Sequence, residues 1–310
     1  MEKLLRTALA DRDRLDLDKT DALRLLDGAG DGLDGVWIDC FAGQWVVATL
    51  GTLLPQGLLK AIQAVGQAEA VWWKRLRQDE DQKDAPELLW ARNYDSAQNG
   101  DLVVLEGGVR YLVDFDAGYS QGIFLDQREN RQRVREASEG RAVLNLFSYT
   151  CGFSVVAALG GGSATSLDLS QPYLDWGKRN FEANDMDPAD HFWCRGDAFD
   201  WLDRFARSGR TFGGVVIDPP TFSRSGKGKK RRTFRVEDDY HALVAKSAAV
   251  LDPGGWILAT TNCRRLRAKP FRLQVERGLA EAGLQAEVEE YPMPGEYTGD
   301  KYLKTCWVEG

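Results

Sequence analysis

Residues 142–152 constrain the fold more than any other part of the chain, because a buried strand ends there and a tight polar turn begins. An almost unbroken apolar run from Val143 to Phe147 is typical of a parallel strand covered on both faces. Small and flexible residues then let the chain reverse into an apolar helix over 153–159. This strand, turn and helix predict the first step of a doubly wound nucleotide-binding sheet, whose ligands lie beyond the carboxyl ends of the strands.

The same strand-and-helix pattern recurs after this segment. Further strands are predicted at 164–168, 191–194, 212–217 and 256–260, each followed by a helical segment. The stretches 284–291 and 302–308 can supply a final antiparallel pair. Five strand-and-helix steps and a terminal hairpin predict an α/β fold with a seven-stranded Rossmann-like sheet of the class I methyltransferase type, rather than a dehydrogenase fold.

Three parts are expected along the chain: an N-terminal arm (1–20), a small α+β domain (21–115) and the domain that holds the large sheet (116–310). The small domain carries two predicted hairpins. One turns at Ala42-Gly43, and the other is joined by Gly107-Gly108, a strong signal for a two-residue turn.

Composition restricts the location and the chemistry. No apolar run reaches the roughly eighteen residues needed to span a bilayer, and the first residues lack the apolar core of a signal peptide. The five cysteines are scattered, odd in number and without CxxC spacing, and there are only two histidines. We therefore expect reduced thiols, a cytoplasmic protein, no membrane partner and no metal site.

The charge is distributed unevenly. The net charge is −7, yet residues 224–235 hold seven Lys or Arg and no acid, and residues 264–272 hold five more and no acid. A basic spot on an acidic surface favours a polyanionic partner, with a solvated flexible loop as the alternative. The candidate RNA-binding residues are Arg224, Lys227, Lys229, Lys230, Arg231, Arg232, Arg264 and Arg265.

The turn after the first strand lacks the glycine motif of dinucleotide enzymes. A dinucleotide enzyme needs GxGxxG so that its backbone can approach a pyrophosphate, but the turn here has only Gly152. S-adenosyl-L-methionine has no pyrophosphate and needs no such approach.

Acidic residues follow three successive strands. Asp168 is placed to accept hydrogen bonds from both ribose hydroxyls, and Asp197 is placed to accept one from an adenine amine. Each acid could instead cap a helix, but three acids in register, at Asp168, Asp197 and Asp218, favour a cofactor site.

The third acid begins the sequence Asp218-Pro219-Pro220. Proline rigidity fixes the carbonyl groups at this strand end, where a planar acceptor could be held for in-line attack on a methyl sulfonium. A purely structural Pro-Pro turn after a strand is the alternative.

Several motifs give the chain a specific resemblance. They are Ala22-Leu-Arg-Leu with Gly30-Asp-Gly-Leu, Gly122-Ile-Phe-Leu-Asp-Gln-Arg-Glu-Asn-Arg, Leu144-Asn-Leu-Phe-Ser-Tyr-Thr, and Asp218-Pro-Pro-Thr-Phe-Ser. From about residue 20 to its end the chain resembles the large-subunit (23S) ribosomal RNA methyltransferases that modify cytosine C5 or, in a sister branch, guanine N7. Family members often begin with an RNA-binding PUA domain, which this chain is expected to lack.

The resemblance implies S-adenosyl-L-methionine as the methyl donor and large-subunit ribosomal RNA as the partner. It implies that Arg128 lies close to the reaction centre. Residues expected near the cofactor are Phe124, Gln127, Asn145, Phe147, Tyr149, Thr150, Gly152, Asp168, Asp197 and Asp218.

One position departs from the cytosine-C5 pattern. Cytosine C5 is a weak nucleophile, so such enzymes add a thiolate to C6, and this family carries that cysteine just after the fifth strand. Here that position is Asn262, and Cys263 follows one residue later. The segment 261–265 resembles the guanine-N7 branch instead. A shift of one residue near a strand end turns a side chain to the other face. We therefore expect Cys263 not to act as the nucleophile, and we favour a ring nitrogen as the methyl acceptor.

Other functions stay open. A DPP turn also resembles exocyclic-amine methyltransferases, which usually place an aromatic residue where Thr221 stands. The enzyme could methylate a small molecule, but that function would not explain why the basic segments 224–235 and 264–272 follow strands at the same sheet edge as the site. A noncatalytic ribosome-assembly factor is a further alternative, and the oligomeric state could be monomer or homodimer.

Overall fold

The chain forms two compact units in the computed structural model, which describes residues 1–15, 17–76, 85–93, 102–118, 120–225 and 232–310. The first unit comprises Met1–Arg128 and Pro294–Asp300, and the second Glu129–Met293 and Lys301–Gly310. The three-part division expected from the sequence stays a prediction.

The first unit contains a mixed sheet of five strands within its described ranges. They are β1 (Ala22–Asp27), β2 (Val36–Phe41), β3 (Gln44–Leu50), β4 (Ala70–Leu76) and β5 (Glu87–Ala91). The strands lie in numerical order, and only β3 and β4 pair in parallel. A separate hairpin joins β6 (Leu102–Glu106) to β7 (Val109–Val113). Helices α1 (Glu2–Asp13) and α2 (Leu58–Val65) contribute Leu5, Leu9 and Ile62 to the core over the sheet.

Both hairpins predicted in this unit are confirmed. Phe41 pairs with Gln44 across Ala42 and Gly43, whose φ angles are 48° and 83°. Gly107 and Gly108 have φ angles of 56° and 78° between the second pair of strands. Two consecutive residues with positive φ are what a type I′ turn requires, which explains the glycines.

The second unit holds the sheet that positions the site. Its described strands are β8 (Ala142–Leu146), β9 (Ser163–Asp168), β10 (Phe192–Arg195), β11 (Phe212–Ile217), β14 (Leu251–Thr261), β15 (Glu287–Tyr291) and β16 (Lys304–Glu309). Their order is β10-β9-β8-β11-β14-β16-β15, with the first five parallel and β16 antiparallel to both of its neighbours. The predicted seven-stranded Rossmann-like sheet is confirmed.

Helix α3 (Arg128–Glu136) precedes β8, and further helices lie between the strands of this sheet. They are α4 (Gly152–Leu159), α5 (Gln171–Glu182), α6 (Ala198–Ser208), α7 (Val236–Ala248) and α8 (Ala268–Glu281). None of the helices in the described ranges is long and apolar enough to cross a bilayer.

The central strands are buried on both faces, as their apolar sequences predict. Every residue of β11 is buried, including Gly213 and Gly214. A Cβ atom on Gly214 would lie 2.2 Å from the indole of Trp256, so glycine is required there to let the ring pack against the strand.

The order of the sheet reverses between β8 and β11. Leu146 aligns with Leu167 on one side and with Ile217 on the other. The residues that follow these three therefore leave the sheet in one row, with neighbouring strands about 4.8 Å apart. A crevice at such a reversal is where open α/β sheets bind their ligands.

A short hairpin lies within the basic segment 224–235 and just before it. A solvated flexible loop is one alternative for this segment from its sequence, but Phe222–Ser225 (β12) pairs antiparallel with Arg232–Arg235 (β13). Exposure alternates along the strands, because Ser225 and Phe234 are buried whereas Arg224 and Arg235 are exposed, so one face of the hairpin is buried and the other is solvated. Residues 226–231 lie outside the described ranges.

Candidate functional site

The turn after β8 has an unusual backbone. Phe147, Tyr149 and Cys151 have φ angles of 55°, 49° and 64°, in the left-handed region that costs a non-glycine residue of order 1 kcal/mol or more. Such conformations persist only where the surroundings hold them, and they cluster at ligand sites. The turn thus brings backbone groups to the edge of the sheet at a cost in stability.

Hydrogen bonds hold this turn from several elements. Asn180 on α5 donates to the Thr150 carbonyl at 2.9 Å, and the Asn145 side chain donates to Ser154 Oγ at the same distance. Cys151 is fully buried, and burial raises the pKa of its thiol to about 12, so it stays neutral. Gly152 begins α4. The predicted turn residues are therefore brought together at the carboxyl end of β8.

Asp168 ends β9 beside this turn. Its Oδ2 accepts from the Tyr149 backbone N–H at 2.9 Å, and its Oδ1 from the Ser170 N–H at 2.8 Å. Burial raises the pKa of Asp168, and these backbone donors act in the opposite direction. An ionised carboxylate has about four acceptor positions, so both oxygens can accept further hydrogen bonds from a ligand.

Asp197 follows β10 and caps α6. Its Oδ1 accepts from the N–H groups of Phe199 and Asp200 at 3.0 and 3.2 Å, while Oδ2 accepts from Ser225 Oγ. The capping role weighed as an alternative is thus present, because the first N–H groups of a helix lack partners within it. The side chain is fixed at the same sheet edge as Asp168.

The Asp218-Pro219-Pro220 turn leaves β11 in the same row. Thr260 at the end of β14 donates to Asp218 Oδ1 at 2.7 Å. The Tyr240 hydroxyl lies 3.0 Å from the carbonyl oxygens of both Ile217 and Thr260, and burial raises the pKa of this tyrosine far above its usual value. The neutral, buried hydroxyl of Tyr240 therefore links the end of β11, which leads into the proline turn, to the end of β14.

Asn262 and Cys263 differ sharply in accessibility. Asn262 is exposed at the end of β14, and its Oδ1 accepts from Thr221 Oγ1 at 3.4 Å, next to the proline turn. Cys263 is only 2% exposed and belongs to the core cluster that includes Phe271 and Val275. The amide faces the site edge, whereas the thiol packs in the core.

Part of the predicted basic surface can be placed. Arg264 and Arg265 are exposed, and the guanidinium of Arg264 lies 4.8 Å from the Tyr302 ring centroid. Arg224 is exposed on β12, and Arg232 pairs with Ser225 through its backbone. The other candidates, Lys227, Lys229, Lys230 and Arg231, lie outside the described residues.

Three predicted site residues belong to the first unit. Phe124 is 42% exposed, and Gln127 is buried in the single 3-10 turn that precedes α3. Arg128 is buried and forms a two-pronged ion pair with Glu296, with 2.8 Å between Nη2 and Oε2. The Glu296 side chain is fully buried.

Sequence reasoning missed the partners of the candidate residues. Ser225, Thr260 and Glu296 hold Asp197, Asp218 and Arg128. Ser225 follows the motif that begins at Asp218, and Thr260 ends a predicted strand, so both could have been suspected. Nothing in the sequence links Glu296 to Arg128. Among the residues that the structure describes, no cluster of His, Cys, Asp and Glu could hold a metal ion.

The fold and this edge define a class of protein. A doubly wound sheet, three strand-end acids and a turn without GxGxxG make a site for an adenosine-containing ligand that lacks a pyrophosphate. The sequence profile of the S-adenosylmethionine-dependent methyltransferases matches residues 78–299.

Individual relatives agree with this class. The Erwinia tasmaniensis ribosomal RNA large subunit methyltransferase I is 32% identical, over 97% of this chain and 76% of its own length. The Methylococcus capsulatus ribosomal RNA large subunit methyltransferase K/L is 37% identical over 66% of this chain, which spans only 27% of that relative. The structure of SMU.776, assigned as a methyltransferase and complexed with SAH, is 28% identical and superposes with a TM-score of 0.88, covering 100% of this chain and 80% of that one.

The chain belongs to the S-adenosylmethionine-dependent methyltransferase family, and it is an enzyme whose cofactor is S-adenosyl-L-methionine. The residues present fit that group. Asp168 and Asp197 offer acceptor oxygens beside a turn whose backbone is held open by left-handed conformations, and the turn has no glycine cradle that a pyrophosphate would need.

Proposed function

We propose that this enzyme methylates a base of large-subunit ribosomal RNA, and that the acceptor is a ring nitrogen, such as guanine N7, rather than cytosine C5. The names of the relatives support an RNA substrate, since both the I and the K/L proteins are named for the large ribosomal subunit. The exposed arginines after β11 and β14 support the same substrate, because they add positive charge at the carboxyl edge of the sheet.

The accessibility of Asn262 and Cys263 carries the choice of acceptor atom. A cytosine-C5 enzyme must bring a thiolate against C6 of the base, yet the thiol of Cys263 is packed among core residues. A ring nitrogen has its own lone pair and needs only positioning and electrostatic help. The exposed amide of Asn262 beside Thr221 is suited to positioning a base by hydrogen bonds.

Each residue of the edge has a proposed task. Bound S-adenosylmethionine supplies an electrophilic methyl group. Asp168 would accept from the ribose hydroxyls and Asp197 from the adenine amine, while Phe147 and Tyr149 would border the cofactor. Asp218 and its prolines would hold the base in line with the methyl group, which lowers the entropic part of the barrier. The roles that the family resemblance implies for Phe124, Gln127 and Arg128 stay predictions.

The Cys263→Ala variant tests the acceptor assignment. We expect it to retain methylation of RNA close to the wild-type rate, because a buried bystander contributes packing and no chemistry. The measurement is the initial rate of methyl transfer from labelled S-adenosylmethionine to ribosomal RNA. Loss of transfer with unchanged cofactor binding by calorimetry would restore the cytosine-C5 mechanism, and Cys194→Ala, a second buried cysteine, controls for packing effects.

The double variant Arg264→Ala/Arg265→Ala tests RNA binding at the end of β14. We expect weaker RNA binding and a salt dependence flatter by about 0.7 for each phosphate of single-stranded RNA that these arginines neutralise. Affinity is measured over a series of salt concentrations. The control is Arg207→Ala/Arg277→Ala, which removes two other exposed arginines. Equal slopes in both double variants would contradict an RNA surface at this edge.

We also propose that the enzyme works in the cytoplasm. All five cysteines are buried as free thiols. Within the described ranges, none of them belongs to a cluster that could hold a metal ion. Free thiols are the rule in reducing compartments.

A further inference from the structure

The hairpin of β12 and β13 has two different faces. Phe222 pairs with Arg235, and Arg224 pairs with Thr233, so these four side chains lie on one face. All four are exposed. This outer face therefore presents an aromatic ring and two guanidinium groups to solvent.

The inner face anchors the hairpin at the cofactor edge. Phe234 is 3% exposed, and its ring centroid lies 6.3 Å from that of Phe147 and 6.0 Å from that of Phe199. Ser225 donates to Asp197, and the Val236 N–H donates to the Thr221 carbonyl at 3.2 Å. The outer face is thus held on a fixed support beside the proline turn.

The composition of the outer face matches single-stranded nucleic acid. The Phe222 side chain is 39% exposed, and the guanidinium carbons of Arg224 and Arg235 lie 5.0 and 6.0 Å from its ring centroid. Among the residues that the structure describes, neither guanidinium forms an ion pair with a carboxylate. Proteins bind single strands by combining a stacking ring with cations that follow the phosphates.

We propose that Phe222 is a stacking platform for one nucleobase of single-stranded RNA, with Arg224 and Arg235 on the adjoining phosphates. This inference rests on the proposed RNA substrate, and it adds Phe222 to the residues proposed to bind the RNA. Because Phe222 stands two residues beyond Pro220 on a strand, the base on its ring neighbours the acceptor base and is not the acceptor itself.

Binding of a short oligouridylate tests the platform, since stacking on an aromatic ring tolerates any base. Phe222→Ala should weaken binding between about 5-fold and about 150-fold, while the salt slope stays at the wild-type value because both arginines still neutralise their phosphates. Phe222→Tyr should bind like the wild type. Arg224→Ala should instead lower the slope by about 0.7.

Phe192→Ala provides a matched control. Phe192 is 53% exposed with the Arg210 guanidinium 4.6 Å from its ring centroid, but it starts β10 and so lies at the opposite end of the strands. Weakening of less than about 5-fold in Phe222→Ala, or an equal weakening in Phe192→Ala, would overturn the platform. If the wild type binds neither the oligonucleotide nor ribosomal RNA, the proposed function itself fails. Calorimetric S-adenosylmethionine binding, which should be unchanged in Phe222→Ala, confirms that the variant is folded.

Discussion

Replacing Asp168 with alanine is expected to weaken S-adenosylmethionine binding between about 10-fold and about 150-fold, because hydrogen bonds to a charged group contribute about 1.5–3 kcal/mol. The same carboxylate accepts from the Tyr149 N–H and so also holds the strained turn. Both effects of the substitution act in the same direction. Isothermal titration calorimetry with purified protein measures the change.

Asp187→Ala is the control for this experiment. Asp187 also accepts a backbone N–H bond, from Ala189 at 2.8 Å, but it precedes β10 and lies away from the carboxyl edge. Its removal should leave cofactor affinity unchanged. Undiminished binding in Asp168→Ala would show that the cofactor lies elsewhere.

Replacing Arg128 with alanine is expected to lower the free energy of unfolding by about 3–5 kcal/mol, since the Glu296 carboxylate would remain buried without its partner. Urea unfolding measures this free energy. Arg14→Ala serves as the control in the same unit, because its ion pair with Asp11 is exposed and should contribute at most about 1 kcal/mol.

The double variant Arg128→Met/Glu296→Leu separates stability from activity. It removes both charges from the buried site, so most of the lost stability should return. If Arg128 also acts near the reaction centre, the stable double variant should still transfer methyl groups slowly. A single Arg128→Ala variant as stable as the wild type would contradict the buried ion pair.

Much of the sheet could be predicted because its central strands are buried on both faces. Apolar runs such as 143–147 and 212–217 have few alternatives, and the turn residues around them set where each strand ends. Strand-end acids follow from the same logic, so Asp168, Asp197 and Asp218 could be placed at one edge from the sequence alone.

The remaining features depend on contacts that a sequence does not record. Arg128 and Glu296 are far apart in the chain, and no local pattern pairs them. The β12–β13 hairpin was missed because a run of charged residues resembles a solvated loop, and only the burial of Phe234 fixes its inner face. Asn262 and Cys263 are neighbours just after β14, and a shift of one residue there decides which of them is exposed and which is buried.

We propose that a ring nitrogen of large-subunit ribosomal RNA receives the methyl group. The most direct test is to methylate ribosomal RNA from cells that lack the protein and to identify the product by nucleoside mass spectrometry. We predict 7-methylguanosine, or another base methylated on a ring nitrogen, with the wild type and none with Asp218→Ala. Formation of 5-methylcytidine, or no methylated RNA nucleoside at all, would contradict the claim.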